Sequence, residues 1–396
     1  MAFGKRRASA SRFLLQWRKS KSFGSDPGNS MPPKRSREKI SVVKMRDVAE
    51  ECGVSLGTVS IILNGAPLAR YFSPTTKERI KKAAKALGYR PNAMARSLRS
   101  SRSHTVGVMF FDVTDPFCTP ILRGIENALF EASYVPIVTD AHNQAHRFER
   151  YLEMMLERQI EGLIVVANWL FVDINILGDL AKRNVPTAII GWEGDPGSGS
   201  ASSVMVDNEA GVRLAMEHLY LLGHRKIAFI RGPKRLIDSA PRWVGIQKFA
   251  HAAGWEINPK LVVDLPDHFD PNLGFENAHR LTKELLGRSR DFTALVAFDD
   301  LTAYGAIRAL TEAGIKIPDQ CSVVGFDDVA PSALLTPSLT TVHQPLERMG
   351  TMATSIVIDG IDAVLAKRTP ATVRHRLIPD LTVRSSTRRI SQKMPA

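Results

Sequence analysis

The sequence has no long apolar run: no stretch approaches the roughly 20 consecutive apolar residues that a membrane-spanning helix needs. The apolar cluster at residues 13–15 follows a basic start but is too short for the apolar core of a secretion signal. Cysteine is scarce too, since Cys52, Cys118 and Cys321 lie far apart and form no C-x-x-C pair, which excludes a disulfide framework. We therefore expect a cytoplasmic protein without a membrane partner, whose cysteines are buried as small hydrophobic residues.

The motifs of common enzyme classes are missing as well. There is no G-x-S-x-G nucleophile motif and no G-x-G-x-x-G after an apolar run, and the Gly/Ser-rich stretch 191–202 lacks the G-K-[ST] of a phosphate-binding loop. His142 and His146 have the i, i+4 spacing of helical metal ligands, but no third ligand accompanies them, so a solvated helix start explains them better. The sequence therefore predicts no enzymatic activity, no bound metal and no cofactor.

Charge is unevenly distributed along the chain. Residues 1–104 carry 23 Lys and Arg against 6 Asp and Glu, a balance of +17, whereas the remainder has a balance of −4. A basic N-terminal quarter on a near-neutral body is typical of a DNA-binding head on a larger domain, and counterion release gives such a head salt-dependent affinity. Within this quarter, residues 1–42 show no apolar period and are predicted to be a basic disordered extension, with Met31 and Met45 left open as alternative starts.

Residues 43–91 contain the pattern of a helix-turn-helix. Apolar positions that include Val48 and Ala49 share one face of a short helix, Gly53 supplies a tight turn, and Ser55 caps a second helix whose buried face includes Val59. A small residue, a turn glycine and an aliphatic residue at these spacings allow two helices to cross at close range. A third helix is expected from the Ser-Pro pair at 73–74 to the glycine at 88, with lysines and arginines turned to solvent or phosphate.

The rest of the chain alternates short apolar runs with amphipathic segments. The runs TVGVMFF, VPIVTD, GLIVVA, PTAII, SVMVD, KIAFIRG, ALVAF and CSVVGF read as buried strands, and helical stretches such as FERYLEMMLERQI lie between them. This alternation predicts an α/β fold of doubly wound parallel sheets. A ligand cleft is then expected at the carboxyl ends of the strands.

The chain resembles the lactose-repressor/galactose-repressor (LacI/GalR) family of bacterial transcription factors. The resemblance is carried in the head by DVAEECGVSLGTVS, ILNG and GYRPNAMARSL, and in the body by RQIEGLIV and VVGFDDVAPSALLTPSLTTVHQPLERMG, among others. It implies a hinge helix and linker at 92–103 and a two-subdomain, periplasmic-binding-protein-like core at 104–385, followed by a tail at 386–396. Subdomain 1 would comprise about 104–203 and 342–370, and subdomain 2 about 204–341 and 371–385.

The resemblance also implies how the hinge contacts DNA. Its leucine, Leu98, would wedge into the central base step of the minor groove from both subunits of a homodimer, which bends the duplex. The resemblance places Asn92, Ala95, Arg96 and Arg99 in the same minor-groove element.

The second helix should read the major groove, but it lacks the usual Arg, Asn and Gln readers. The family's reader positions fall on Leu56, Gly57 and Ile61, so contacts should be limited to thymine methyls and sugars. An insertion before the third helix carries Arg70 and Tyr71, which either replace the missing contacts or lie in an exposed loop. The full expected major-groove and phosphate set is Ser55, Leu56, Gly57, Thr58, Ser60, Ile61, Asn64, Arg70 and Tyr71.

For the effector cleft, the resemblance assigns Arg242 and Asp327 to grip ligand hydroxyls or carboxylates, which suits a carbohydrate or related polyol. Asp115 and Phe117 would face them from subdomain 1. An interdomain salt bridge is the alternative reading of the first two. Phe298 stands where the family usually has a polar residue, which predicts a smaller or more apolar pocket.

Together these features predict a dimeric, sequence-specific DNA-binding regulator, in this family most often a repressor. Its binding to a pseudo-palindromic operator in double-stranded DNA would be controlled by a small effector in the cleft. A tetramer is not expected, because the final residues show no heptad pattern. The alternatives are a sugar-binding protein without regulation, against which the basic head argues, and an architectural or constitutive DNA binder with a vestigial pocket.

Overall fold

The computed structural model describes residues 43–90, 102–167, 185–192, 201–234, 236–267 and 273–390. The chain divides into two compact units, Met1–Pro91 and Asn92–Ala396. The expected basic extension at 1–42 and the hinge segment around 92–101 lie outside the described residues.

The described part of the first unit is a small helical head. It comprises α1 (Met45–Glu51), α2 (Leu56–Leu63), a 3₁₀ helix (Pro67–Tyr71) and α3 (Pro74–Leu87). The turn between α1 and α2 requires Gly53, whose φ of +58° falls in the left-handed region that side chains disfavour. The expected caps form: the Ser55 hydroxyl accepts from Thr58 N (3.1 Å) and the Ser73 hydroxyl accepts from Thr76 N (3.2 Å).

One apolar cluster holds the three helices of the head together. Val48, Val59 and Ile80, one from each helix, have no exposed surface and meet at its centre, with Ala49 packed beside them. A small residue at position 49 lets α1 and α2 approach closely, which confirms the predicted helix-turn-helix.

The second unit contains two six-stranded sheets. Sheet 1 has the strand order β11-β5-β4-β3-β1-β2, and all its pairs are parallel. Its strands are β1 (Thr105–Phe110), β2 (Val135–Asp140), β3 (Gly162–Val166), β4 (Thr187–Ile190), β5 (Ser202–Val206) and β11 (Arg374–Leu377).

Sheet 2 has the order β12-β10-β9-β8-β6-β7, parallel except for the antiparallel pair of β10 with β12. Its strands are β6 (Ile227–Arg231), β7 (Val262–Asp264), β8 (Ala294–Val296), β9 (Ser322–Asp327), β10 (Thr340–His343) and β12 (Asp380–Thr382).

Helices cover both faces of each sheet. Alternate residues of β1 enter different apolar clusters: Val106 and Val108 pack on one face, Met109 on the other. The interior strands of each sheet are therefore buried on both sides, as a doubly wound fold requires, whereas the predicted edge strand β2 is partly exposed. The described helices of this unit are α4 (Cys118–Glu131), α5 (Ala145–Glu157), α6 (Asn208–Leu221), α7 (Ser239–Ala252), α8 (Gly274–Arg288), α9 (Asp300–Glu312), α10 (Pro331–Leu334) and α11 (Leu346–Leu365), with a 3₁₀ turn at Pro259–Leu261.

The chain crosses between the sheets at three places, each later than the sequence predicted. The crossings follow Val206, His343 and Leu377, whereas the expected boundaries were 203/204, 341/342 and 370/371. The largest correction concerns β11, which was expected in subdomain 2 but pairs with β5 in sheet 1. Its first three residues are exposed, so it lacks the apolar signal by which the other strands were found.

Within the described residues, no helix combines the length and apolar character needed to cross a bilayer.

Candidate functional site

The exposed side of α2 is poor in groups that read bases. Leu56 is 51% exposed, Gly57 is exposed without a side chain, and Ile61 is partly buried. The hydroxyls of Ser55 and Thr58 lie 2.9 Å apart and hydrogen-bond each other at the helix start. This end of α2 therefore offers methyl groups and two hydroxyls, and not the paired hydrogen-bonding groups with which Arg, Asn and Gln read base edges.

The far end of α2 adds one amide. Asn64 donates from Nδ2 to the Ser60 hydroxyl over 3.2 Å and remains exposed at the C-cap. Its carboxamide is the most versatile hydrogen-bonding group on the expected reading surface, because it both donates and accepts.

The insertion after α2 folds into the short 3₁₀ helix rather than an irregular loop. Tyr71 is 70% exposed, and the Arg70 guanidinium lies over its ring with Cζ 4.8 Å from the centroid. Arg70 also donates to the Tyr71 hydroxyl over 2.8 Å. The two expected substitutes for the missing readers are thus paired with each other on the surface of the head.

The expected hinge residues Asn92, Ala95, Arg96, Leu98 and Arg99 lie outside the described residues.

In the second unit, Arg242 lies on α7 and is buried, with 7% of its surface exposed. Its Nε donates to Asn208 Oδ1 (2.9 Å) and its Nη1 donates to the Phe298 carbonyl oxygen (2.6 Å). The guanidinium also stacks on the rings of Phe326, at 3.7 Å, and Phe298, at 4.5 Å. These contacts fix the plane of the Arg242 guanidinium and leave its Nη2 directed toward Asp327.

Asp327 ends β9 at the carboxyl edge of sheet 2. Its Oδ1 accepts from Gln344 Nε2 (2.6 Å) and lies 3.9 Å from Arg242 Nη2. Its φ of +116° is a strained conformation for a residue with a side chain. Burial raises the pKa of Asp327 well above its usual range, and nearby carboxylates, including Asp115, raise it further against the opposing charge of Arg242.

Asp115 and Phe117 approach from subdomain 1, just after β1. Asp115 is buried, and its Oδ1 accepts from the backbone N of Phe117 (3.0 Å). The charge of Asp115, in subdomain 1, adds to the rise in the pKa of Asp327, in subdomain 2. Phe117 packs mainly against the apolar core of its own subdomain.

Phe298 occupies the space between Arg242 and the turn after β6. It is 7% exposed and lines a cavity of about 30 Å³ together with Ser239, Arg242 and Gly232. A Cβ on Gly232 would lie 2.4 Å from the Phe298 ring, so only glycine lets the ring pack there. A cavity of this size holds no more than a few waters, so the aromatic side chain leaves little free volume beside Arg242.

Asp300, at the start of α9, was not predicted from the sequence. It has no exposed surface and accepts hydrogen bonds from Val329 N (3.0 Å), Ser332 Oγ (2.6 Å) and Thr341 Oγ1 (2.5 Å). These bonds tie the turn that carries Asp327 to α10 and to β10. Burial, with the adjacent charge of Asp299 adding to it, raises the pKa of Asp300 to about 7 despite the three donors.

Asn208 and Gln344 were missed as well. Asn208 accepts from Arg242 and donates to Asp238 Oδ1 over 2.8 Å, so it orients the guanidinium. The predicted strand SVMVD ends directly before Asn208, a position where a parallel sheet opens its cleft, and this was the available signal for Asn208. Gln344 follows β10, a strand that the sequence did not predict, so it carried no such signal.

A buried arginine held beside an aspartate at the carboxyl edge of one of two doubly wound lobes is typical of a small-ligand-binding core. The separate helix-turn-helix unit defines a DNA-binding module. A protein with both belongs to the class of ligand-responsive transcriptional regulators.

Comparison with known proteins gives the family. Residues 44–92 match the model of bacterial regulatory proteins of the lacI family, and residues 216–387 match the periplasmic binding protein-like domain. The HTH-type transcriptional repressor PurR of Erwinia tasmaniensis is 33% identical over 80% of this chain and 90% of its own length. The chain therefore belongs to the lacI family of bacterial regulatory proteins and is a DNA-binding transcriptional regulator.

Two solved structures are similar over nearly their full length. The lac repressor dimer bound to operator and the anti-inducer ONPF is 25% identical, with a TM-score of 0.73 over 87% of this chain and 99% of that chain. The transcriptional regulator CelR–cellobiose complex is 29% identical, with a TM-score of 0.64 over the same shares of the two chains.

Proposed function

We propose that the protein is a homodimeric repressor that binds a pseudo-palindromic operator and is controlled allosterically by a small effector in the cleft between sheets 1 and 2. The observation that carries this proposal is the buried Arg242–Asp327 pair, oriented by Asn208 and Gln344, at the carboxyl edge of sheet 2. The bacterial cytoplasm, where the operator lies, is the site of action.

In this proposal α2 enters the major groove with few base-specific contacts. Leu56 and Ile61 meet thymine methyls or sugars, Gly57 permits close approach, and Ser60 and Asn64 supply the polar contacts. Ser55 and Thr58 contact phosphates while they cap the helix. The guanidinium of Arg70, supported by Tyr71, adds a phosphate contact from the insertion.

The hinge supplies the remaining specificity. Leu98 wedges into a flexible central step from each subunit, flanked by Asn92, Ala95, Arg96 and Arg99 in the minor groove. A hinge helix of about nine residues is only marginally stable without DNA, since isolated helices shorter than about 12–15 residues rarely persist. This marginal stability makes the hinge responsive to a change in the angle between the two subdomains.

The effector is proposed to be a carbohydrate or related polyol smaller than a disaccharide. Support comes from the acceptor and donor pair of Asp327 and Arg242, faced by Asp115 and Phe117, and from a LacI family transcriptional regulator of Enterococcus faecium solved with bound ribose. The ring of Phe298 occupies space beside Arg242 and limits the size of the ligand.

Selection of bound sequences from random duplex DNA at about 0.15 M salt, roughly physiological ionic strength, tests the DNA-binding part of the proposal. We expect a two-fold symmetric site with a flexible central step and half-sites of low information content. Binding that fades with salt and yields no motif would instead identify an architectural DNA binder.

That second candidate, a constitutive binder with a vestigial pocket, is favoured by one observation, the small cavity beside Phe298. Thermal unfolding of the full-length protein with a panel of mono- and disaccharides and polyols separates the two. An effector-controlled repressor gains stability with at least one small member of the panel, because a ligand that binds only the folded state raises its unfolding temperature. A vestigial pocket gives no shift with any of them.

A further inference from the structure

The described part of the core begins at Arg102, directly after the segment that connects it to the DNA-binding head. Arg102 Nε donates to Glu161 Oε2 over 2.7 Å, and its Nη2 donates to the Tyr134 hydroxyl over 2.6 Å. Tyr134 in turn donates to Glu161 Oε2 over 3.2 Å. Three side chains from three separate turns at the amino edge of sheet 1 thus form a closed hydrogen-bonded triangle.

The Glu161 carboxylate also holds the backbone that follows Arg102. Glu161 Oε1 accepts from His104 N over 2.7 Å, and Ser103 Oγ donates to the Gln159 carbonyl oxygen over 2.6 Å. His104 has a φ of +51°, a conformation that costs free energy and persists only where its surroundings hold it. Residues 102–104 are therefore fixed by side chains before the first strand begins at Thr105.

The triangle is better sheltered than a surface ion pair. The side chains of Arg102 and Glu161 are only 23% and 11% exposed. Burial by itself would raise the pKa of Glu161, but the hydrogen bonds from His104 N and Arg102 outweigh it and lower that pKa. Burial and the charge of Glu161 raise the pKa of Tyr134 to about 12. At neutral pH the carboxylate is therefore charged and the phenol keeps its proton.

We propose that Arg102, Glu161 and Tyr134 form a linker anchor that fixes where the chain leaves the core and so sets the separation of operator half-sites that the dimer accepts. The proposal rests on the two-fold operator of the proposed function. The anchor acts by positioning, since none of its three residues needs to touch DNA.

The reach of the chain gives the size of the effect. Releasing residues 102–104 adds three residues to the linker, which span at most about 10 Å when extended. Base pairs in B-DNA are spaced about 3.4 Å apart along the axis. One released anchor therefore frees more length than one inserted base pair requires, and a dimer releases two.

The test uses the full-length protein, the duplex obtained by selection, and the same duplex with one base pair inserted at its centre. For the wild type we expect a strong preference for the selected duplex. Glu161→Gln should bind that duplex about tenfold more weakly, because additional backbone must be ordered on binding. The loss of affinity caused by the inserted base pair, which is the spacing penalty, should be smaller in this variant than in the wild type by at least two thirds.

Tyr134→Phe removes one hydroxyl from a buried ring. It should lower the affinity for the selected duplex and reduce the spacing penalty, each by less than Glu161→Gln does. The matched control is Asp264→Asn, which breaks a comparable pair on sheet 2, where Arg231 donates to Asp264 Oδ1 (2.5 Å) and Oδ2 (2.8 Å). The control should leave both the affinity and the spacing penalty unchanged. Thermal unfolding of each variant checks that it is folded.

A merely structural role lowers the active fraction without changing the spacing penalty. The anchor is therefore refuted if Glu161→Gln keeps the wild-type penalty, whatever its affinity. A wild type without any spacing preference refutes the two-fold operator and the anchor with it. If the wild type prefers the selected duplex and Glu161→Gln keeps that preference in full, the anchor alone is refuted.

Discussion

Replacing Asp300 by asparagine tests how the turn that carries Asp327 is held. Asp300 is completely buried and bound by three donors, and burial raises its pKa to about 7 from 3.8. Asparagine has nearly the same shape and resembles the protonated acid, because it offers one acceptor oxygen and one donor group. The substitution therefore removes the charge while it preserves most of the packing.

The sign of the effect follows from proton linkage. A carboxyl whose pKa is raised by folding binds its proton more tightly in the folded state, so the protein loses stability as pH rises from the unfolded pKa to the folded one. A rise from 3.8 to about 7 corresponds to about 4 kcal/mol in total. About 3 kcal/mol of this falls between pH 5 and pH 8.

Urea unfolding of the wild type and of Asp300→Asn at pH 5 and pH 8 measures the difference. At pH 5 the two proteins should differ by less than about 1 kcal/mol, and at pH 8 the variant should be the more stable. The control Asp291→Asn changes an exposed carboxylate, 74% exposed, and should not alter the pH dependence. If Asp300→Asn is less stable than wild type by the same amount at both pH values, Asp300 is ionised throughout and the reasoning is wrong.

Two further substitutions test the packing around the cleft and within subdomain 1. Phe298→Asn should lower the free energy of unfolding in urea by about 3 kcal/mol, because it leaves a cavity. The variant should also show thermal shifts with polyols that are too large to bind the wild type. An unchanged range of ligands would contradict the assigned role of the ring. Gly124→Ala should destabilise the core by about 1–3 kcal/mol or more, because the new Cβ would lie 2.0 Å from the Glu347 carbonyl oxygen where α4 packs on α11. In the control Gly287→Ala, the new Cβ lies at an exposed position of α8 and meets nothing within 4 Å, so the variant should be more stable by about 0.5–1 kcal/mol. Equal effects of the two alanines would refute the packing argument.

Much of the fold was predictable because its signals are local. Buried parallel strands are continuous apolar runs, so all eight predicted strands are present. The head was predicted from spacing alone, since Ala49, Gly53 and Val59 satisfy one steric requirement together. The missed strands β7, β10, β11 and β12 have three or four residues each, and β11 reads RHRL with only its last residue buried. Pairing with distant strands, not local pattern, makes these segments extended.

The candidate site was less predictable, because its organisation is non-local. Arg242 and Asp327 were inferred from a family resemblance, and the structure brings them together. What orients them could not be read from spacing: Asn208 precedes Arg242 by 34 positions, and Asp300 reaches Thr341 across 41 positions. Buried hydrogen bonds of this kind depend on which turns meet at the edge of the sheet.

The central claim is that the cleft and the DNA-binding head are thermodynamically coupled. The most direct test is to measure, by calorimetry or fluorescence, the affinity of the ligand found in the thermal screen with and without saturating operator duplex. The affinity of the operator duplex is then measured with and without the ligand. We expect both ratios to depart from one, typically by about 5- to 150-fold, and to be equal, because coupling between two sites is reciprocal. A ligand that binds in the cleft with the same affinity whether or not DNA is bound would contradict the account.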